Sequence, residues 1–309
     1  MRQLTIMLAA LLLLGSQIMC CGISLPQIPD IEVPEIEMPD VEINVPTIEV
    51  GEIRDEQETI PLSGAESATV EVVFGAGELA AEAGVSDQLF SAHFRYNVEH
   101  WAPEVAYEDG MLTIKQGGSK EDWGIPTGNT HNEWELEFSP EIPLEMDFKV
   151  GAGGGELDFT GLQLEGLDMD LGAGDFEVRF GEPNEAAMSH FTLNTGASKL
   201  EVTGIGHAGP ERMNVQGGVG DITLDFTGAW PHSADVQITA GLGAVTLRLP
   251  DNVGVRVETK GGLTNVEISD GLRRTGDAYV NDAFGETETE LRIQVTTGVG
   301  TIKLIEVSN

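Results

Sequence analysis

The sequence predicts an all-β protein, a β-solenoid of short two-strand coils with Gly-x-Gly corners. Three observations predict it: a glycine motif that recurs at a nearly fixed spacing, alternating apolar residues on both sides of that motif, and 39 glycines in 309 residues. This glycine content is nearly twice the roughly 7% typical of proteins. A repeat of this size is typical of stacked structural units in which each coil contacts its neighbours.

The glycine motif marks the end of one strand and the start of the next. Its copies are VGAG (150–153), LGAG (171–174), TGAS (195–198), GGVG (217–220), AGLG (240–243), GGLT (261–264) and TGVG (297–300). Successive copies begin 21 to 24 residues apart as far as Gly262, and 36 residues separate Gly262 from Gly298. One coil therefore carries an insertion.

Alternating apolar residues flank each copy of the motif. Leu167, Met169 and Leu171 share one side before LGAG, and Phe176 and Val178 share one side after it. A period of two is typical of strands with one buried face, and glycine permits the φ angles that a sharp bend needs. An antiparallel meander with glycine-rich hairpins is the alternative architecture.

The charge of the chain limits its partners. Sixteen basic and 52 acidic residues give a net charge of −36 at pH 7. This charge repels nucleic acid and anionic membrane surfaces. We therefore expect no nucleic-acid partner. Solvated acidic faces, a cationic partner or weakly held divalent cations are the remaining alternatives, and the absence of a cofactor motif predicts no cofactor.

The N-terminus is typical of an exported protein. Arg2 precedes an apolar run at residues 4–14, which is too short for a membrane span and resembles a secretory signal. Residues 1–21 resemble a bacterial lipoprotein signal, with Cys21, or alternatively Cys20, as the lipidated residue. A signal without lipidation and an uncleaved anchor are the other possibilities. No further cysteine follows, so we expect no disulfide in the folded part.

An acidic, proline-rich tract follows the signal. It repeats PDIEV, PEIEM and PDVEI from Pro29 onward. Regular prolines disfavour a helix or a central strand, and the carboxylates repel one another, so residues 22–59 are predicted to form a disordered or extended linker. An added edge strand is the less favoured alternative, because each proline removes a ladder donor.

Two stretches of the remaining chain carry a family resemblance. FGAGELAAEAG, LFSAHFRYN and PEVAYEDGMLTIKQ resemble the N-terminal segment of the bacterial toast-rack proteins. WELEFSPEIPLEMDFKVGAGGGELDFTGL resembles their repetitive part, which is similar to the C-terminal domain of LiaF-type cell-wall-active-antibiotic response proteins and to predicted adhesins. We accordingly predict an N-terminal toast-rack segment at residues 60–140 and a solenoid repeat region at residues 141–309. The resemblance implies a right-handed solenoid outside a bacterial membrane, with a binding, sensing or adhesive role.

The sequence predicts no catalytic, cofactor-binding or metal-binding residues. Its six histidines have no HxH or HxxxH spacing and no cysteine partners. GGVGDITLDF is similar to a calcium-binding nonapeptide, but Asp221 falls one position early and the match does not recur. Five basic residues of the repeat region occur one at a time: Arg179, Lys199, Arg212, Arg248 and Arg256. Polysaccharide-cleaving β-helices instead cluster basic residues beside acids.

The insertion before the last motif contains the chain's only adjacent basic pair. One interpretation is a protruding loop that contacts a partner protein or a glycan. Its contact residues would be Arg273, Arg274, Tyr279, Asn281, Asp282 and Phe284. The other interpretation, which we favour, is a cap that covers the open core of the terminal coil.

These observations predict a non-enzymatic surface protein of the cell envelope. It would be a lipid-anchored scaffold that acts in adhesion or binds an envelope component during envelope or cell-wall stress. The partner would be an envelope protein or glycan, with the membrane reached through the N-terminal anchor. The alternatives are a polysaccharide-active β-helix enzyme and a regulator of a membrane two-component stress-response system. An enzyme should gather several acids with an Arg or Lys on neighbouring coils of one face, whereas a scaffold should carry scattered charges.

Overall fold

The alternating apolar pattern forms strands over most of the folded region. A computed structural model describes residues 47–118, 125–126 and 129–308. The strands of its N-terminal part are β1 (Thr47–Ile48), β2 (Arg54–Pro61), β3 (Ala68–Ala83), β4 (Gln88–Tyr96), β5 (Pro103–Glu108), β6 (Met111–Gln116), β7 (Ile125–Pro126) and β8 (Asn132–Phe138). The later strands are β9 (Pro143–Asp158), β10 (Gln163–Arg179), β11 (His190–Thr203), β12 (Arg212–Asp225), β13 (Ala234–Pro250), β14 (Gly254–Ile268), β15 (Arg273–Thr275), β16 (Ala278–Val280) and β17 (Glu290–Val307).

Helical structure within these ranges is limited to two short elements. A single 3-10 turn lies at Glu99–Trp101, and the helix α1 spans Ile205–Ala208. Among the described residues, no helix is long and apolar enough to cross a membrane. The predicted lipidation site at Cys21 or Cys20 lies outside the described residues.

Each coil is one long strand that bends at its corner, rather than two separate strands. In β10, the buried residues are Met169 and Leu171 before the corner, and Phe176 and Val178 after it. The buried positions change from odd to even numbers across the corner, so both arms turn their apolar side chains toward the core. We call the part before the corner the first arm and the part after it the second arm.

Eight corner-bearing strands stack as parallel rungs around one core. Their order is β3, β9, β10, β11, β12, β13, β17, β14. Equivalent residues are aligned from rung to rung, and phenylalanine rings of successive coils pack together inside. The Phe148–Phe159 and Phe159–Phe180 ring centroids are each 5.7 Å apart, and those of Phe180 and Phe191 are 5.8 Å apart. The predicted all-β solenoid with Gly-x-Gly corners is confirmed.

The second glycine of the corner is required by the backbone. Gly243 has a φ of 135°, and a Cβ there would overlap the carbonyl oxygen of Gly220 on the neighbouring rung. In the TGAS corner, Ser198 takes this position without a positive φ. Its buried hydroxyl shares a hydrogen bond with the Thr195 hydroxyl, which satisfies both groups inside the corner.

Strands β2 to β6 and β8 of the N-terminal part continue the same sheet, whereas β1 and β7 pair with each other in a separate two-stranded sheet. β3 pairs in register with β9 on one side. On its other side, the first arm of β3 pairs with β6 and the second arm with β8. The sheet is therefore continuous across residue 140, where the repeat region was predicted to begin. β2 pairs antiparallel with β4, so residues 54–59 of the predicted linker lie in a strand.

The C-terminal rungs do not follow chain order. β17, the last strand, inserts between β13 and β14. The insertion forms the β15–β16 hairpin, and β16 pairs antiparallel with Arg256, Val257 and Glu258 on the outer edge of β14. The hairpin therefore covers part of the terminal rung.

Candidate functional site

Twelve outward-facing residues form a regular polar surface on the first arms of the last four rungs. We call this surface the first-arm grid. Its rows are Arg212, Asn214 and Gln216 from β12; Asp235, Gln237 and Thr239 from β13; Arg292, Gln294 and Thr296 from β17; and Arg256, Glu258 and Lys260 from β14. The residues between them point into the core, because side chains alternate along a strand.

The first column of the grid brings three arginines together. Its members in rung order are Arg212, Asp235, Arg292 and Arg256. The basic residues of the repeats occur one at a time along the sequence, yet three arginines lie together on this face. Sequence order hides the cluster, because only the insertion of β17 beside β14 makes Arg292 a neighbour of Arg256.

The three guanidinium groups differ in their pairing. Arg256 donates from Nε and Nη2 to Glu258 Oε1 at 3.2 and 2.7 Å, and this contact raises the pKa of Arg256. Arg292 Nη2 lies 3.1 Å from Glu290 Oε2. Arg212 makes no ion pair with any described residue. Arg212 and Arg292 therefore retain most of their donors for a ligand.

A surface depression of about 390 Å³ lies over the grid. The arginines and two acids line it together with the side-chain amides of Asn214, Gln237 and Gln294. No apolar side chain belongs to the twelve grid positions. Val236 and Ile293 also belong to the lining but are almost completely buried, so the depression presents mainly charged groups and side-chain amides.

The same face has the opposite charge on its earlier rungs. The positions of β3, β9, β10 and β11 that lie in register with the three grid columns carry five acids and one lysine, a net charge of −4. They are Glu71, Glu145, Asp147, Asp168, Asp170 and Lys149. The grid carries three arginines, one lysine and two acids, a net charge of +2. The face therefore changes sign along the stack.

The acidic end contains an ion-pair cluster across strands. Glu71 Oε2 lies 2.7 Å from Lys115 Nζ, and Glu71 Oε1 lies 3.2 Å from Lys149 Nζ. Lys149 Nζ is also 2.5 Å from Asp147 Oδ2. The hydrogen bond from Lys115 is the main cause that lowers the pKa of Glu71, and Asp147 is the main cause that raises the pKa of Lys149. These contacts stabilise the junction of β3, β6 and β9.

Asn281, a predicted contact residue, is instead part of the interior. Its side chain is fully buried, and its amide donates to the carbonyl oxygens of Pro250 and Val253 at 3.1 and 2.8 Å. Its Oδ1 accepts from the backbone N–H of Val255 at 2.9 Å. Asn281 therefore cannot serve as a partner contact, because its amide nitrogen is bonded to the end of β13 and to the connection between β13 and β14, and its amide oxygen to β14.

The other predicted contact residues lie at or near the surface of the insertion. Arg273 Nη1 donates to Asn281 O at 2.9 Å and to Asp282 Oδ1 at 3.1 Å. Among the residues that the structure describes, the Arg274 side chain bonds only the carbonyl oxygen of Gly276. Tyr279 and Phe284 are half-buried, and Tyr279 packs against the core. The structure does not bring these residues and the first-arm grid into one hydrogen-bonded cluster.

The described residues hold no group of three or more His, Cys, Asp or Glu side chains placed to bind a metal ion. The best-connected histidine is His93, which bridges strands. Its Nε2 lies 2.9 Å from Asp55 Oδ1, and its Nδ1 lies 3.2 Å from Glu135 Oε2. The contact with Asp55 is the main cause that raises the pKa of His93. This histidine therefore joins β2 to β4 and β8.

Parallel strands that bend at glycine corners and stack in register around one core define a β-solenoid. Residues 49–203 match the family model described as "N-terminal domain of toast_rack, DUF2154", and the chain belongs to the toast-rack family. Residues 209–304 match a second model, described as "Cell wall-active antibiotics response LiaF, C-terminal". No curated protein matches the chain.

Solved structures with a similar arrangement come from several bacteria. A "putative cell adhesion protein" from Clostridium sporogenes is 23% identical with a TM-score of 0.47, and the match covers 83% of this chain and 100% of that one. A "putative adhesin" from Bacteroides fragilis is 14% identical with a TM-score of 0.37, covering 83% and 99%. Another from Parabacteroides distasonis is 11% identical with a TM-score of 0.40, covering 85% and 100%. Similarity this distant assigns no ligand to the chain.

Proposed function

We propose that this protein is a non-enzymatic scaffold of the bacterial cell envelope, anchored by a lipid and used to bind an envelope component in adhesion or in cell-wall stress. Its membership in the toast-rack family supports this proposal. The match to the C-terminal region of LiaF, whose description names the response to cell-wall-active antibiotics, supports a place in the envelope.

The observation that carries the proposal is the in-register first-arm face. Eight rungs present outward side chains in straight columns. Successive rungs of a sheet are about 4.8 Å apart, so the columns repeat at a fixed spacing. A surface that is long, regular and polar suits a long polymer or another repetitive envelope component.

The anchor is part of the same proposal. Cys21, or alternatively Cys20, would carry the lipid, and the acidic, proline-rich tract after it would separate the membrane from the solenoid. The apolar run at residues 4–14 and the cysteine pair that ends the signal support this assignment.

The grid matches in part the arrangement expected of an enzyme, because acids and arginines lie on neighbouring rungs. Its two acids are Asp235 and Glu258, on rungs separated by β17 and one column apart. Because Glu258 accepts two hydrogen bonds from Arg256, we favour binding over hydrolysis.

Lipidation is tested by metabolic labelling of the full chain in a bacterial host with a radioactive or alkyne-bearing fatty acid. We expect label on the wild-type chain and on Cys20→Ser, and none on Cys21→Ser. Label lost only in Cys20→Ser would move the modified residue to Cys20. A chain that is exported but never labelled would contradict the lipid anchor.

Binding is tested by sedimentation of the full chain, solubilised in detergent, with insoluble cell-wall preparations. We expect saturable co-sedimentation, with the wall polymer recovered at unchanged length. Shortened polymer would support the enzyme alternative. If the protein stays in the supernatant with every envelope fraction, the scaffold proposal is wrong.

A further inference from the structure

We infer that the first-arm grid is a binding site for an acidic polysaccharide, with Arg212 and Arg292 as the groups that bind its anionic substituents. The inference rests on the proposed function and specifies the ligand of its binding surface. The shared chemistry is a linear, hydroxyl-rich polymer that carries carboxylates or phosphates at regular intervals.

The charge distribution selects an anion for this site. The grid has a net charge of +2 in a chain of −36, and it contains four of the 16 basic residues. At physiological ionic strength charges are screened beyond about 8 Å, so the local cations act on a bound ligand more strongly than distant acids do. Two acids beside the grid, Glu290 and Asp277, lie 3.1 and 3.5 Å from Arg292 and Arg256. The attraction for an anion therefore comes chiefly from Arg212 and from the exposed donors of Arg292.

The unpaired N–H donors of Arg212 and Arg292 favour an oxyanion as the ligand. A guanidinium offers five N–H donors in a planar fork that matches a carboxylate or a phosphate. Arg212 has no ion pair among the described residues, and Arg292 uses one nitrogen on Glu290 while its side chain stays 64% exposed. Asp235 lies between these two arginines on the ladder. The two anchors are therefore separate binding points rather than one point charge.

The second column of the grid favours a ligand that carries hydroxyl groups beside its anionic groups. Asn214, Gln237 and Gln294 lie next to one another on successive rungs. Each primary amide offers two donors and one acceptor oxygen, which suits the mixed donor and acceptor character of sugar hydroxyls. Thr239 and Thr296 extend the same chemistry in the third column.

The grid is a poor surface for a protein partner. Interfaces between proteins are enriched in aromatic residues, Met and Arg, and their aromatic anchors fill pockets near the centre. None of the twelve grid residues is aromatic or aliphatic. A hydrated polymer of sugars needs no such anchor.

The spacing of the anchors fits a linear polymer. Arg212 and Arg292 are two rungs apart, which corresponds to about 9.6 Å along the stack. This distance is close to the disaccharide repeat of an extended glycan chain. The polymer would run across the strands, along the axis of the stack.

The experiment measures the affinity of the full chain for oligogalacturonate by calorimetry, with poly(glycerol phosphate), a neutral galactan and poly-glutamate as comparison probes. We expect oligogalacturonate or poly(glycerol phosphate) to bind, and the stronger of the two identifies the anion. Arg212→Gln and Arg292→Gln should each weaken that binding about tenfold, the loss of one charged hydrogen bond. The matched control Arg248→Gln removes the same charge from a second arm, where Arg248 lies 3.7 Å from Asp225 and Glu201, and should change affinity less than twofold.

Two further variants separate specific binding from general charge attraction. Asp235→Asn removes the acid between the two anchors and should tighten binding about threefold to tenfold. Gln237→Leu leaves the charge unchanged and should weaken binding several-fold, because the ligand's hydroxyls lose a partner. Circular dichroism melts confirm that each variant is folded.

Three outcomes would overturn the inference: equal effects of Arg212→Gln and Arg248→Gln, poly-glutamate binding as tightly as the acidic glycans, or binding to neither acidic glycan. None of these outcomes would contradict the scaffold proposal, which the sedimentation assay tests independently. Conversely, oligogalacturonate binding that is lost in Arg212→Gln would support the grid even if whole walls do not retain the protein.

Discussion

Arg256 and Arg292 are register partners on adjacent strands, although 36 residues separate them in the chain. The return of β17 between β13 and β14 creates this pair. Glu258 holds the Arg256 guanidinium, whereas Arg292 remains largely exposed beside it. Two basic residues that are far apart in the sequence, Arg256 and Arg292, therefore lie side by side in the first column of the first-arm grid.

The corner glycines should tolerate no side chain. Gly243→Ala should lower the free energy of unfolding by about 3 kcal/mol or more, because it combines a φ of 135° with overlap on Gly220 O. Gly276→Ala is the matched control: its φ is also positive, 65°, but no atom lies within 4 Å of the added Cβ. It should cost about 1 kcal/mol. Urea unfolding followed by circular dichroism compares them, and equal losses would contradict the overlap argument.

Asn281 should be a stability residue rather than a contact residue. Asn281→Ala leaves the Val255 N–H and the Pro250 and Val253 carbonyls without their side-chain partner, at a cost of about 2 to 4 kcal/mol. Asn265→Ala removes an exposed amide bonded to Glu267 and should cost less than about 0.5 kcal/mol. Thermal melts of both variants test this. A neutral Asn281→Ala would show that the insertion is held by other contacts.

His93 should make the N-terminal edge sensitive to alkaline pH. Its pKa is raised above 6.5 by Asp55 and Glu135, so its stabilising contribution is complete below pH 6.5 and is lost as the pH rises through the raised value. The effect should stay within about 1 kcal/mol, the range of exposed ion pairs. Hydrogen exchange of β2 amides, corrected for intrinsic rates, should reveal faster opening at pH 8 than at pH 6. His93→Gln should abolish the difference, whereas His232→Gln should retain it.

Glu71 should have the opposite pH dependence. Its pKa is lowered below 4.5, chiefly by Lys115, so its contribution is present above pH 4.5 and is lost as the pH falls through the lowered value. Glu71→Gln should cost about 1 to 2 kcal/mol at pH 7 and much less at pH 3. Glu145→Gln, on the same face but without an ion pair in the described structure, provides the control. Denaturant unfolding at both pH values measures the loss of free energy of unfolding in each variant. A loss in Glu71→Gln that does not change with pH would contradict the ionic explanation.

The sequence by itself determined the coil. Alternating residues such as Met169 and Leu171 define the buried side of an arm, and the recurring glycine marks the bend, because both signals depend only on near neighbours in the chain. The same local signals indicated an insertion before Gly298. They could not show that Asn281 is buried, since an asparagine in a polar loop has no periodic pattern.

The tertiary structure alone decided which residues face one another. In a parallel stack, the neighbours of a residue belong to other rungs, and their identity depends on strand order. Sequence order places β14 after β13, but the structure puts β17 between them. Arg292 thereby joins Arg212 and Arg256 on one face, because hydrogen bonding between strands, rather than position in the chain, fixes the columns of the grid.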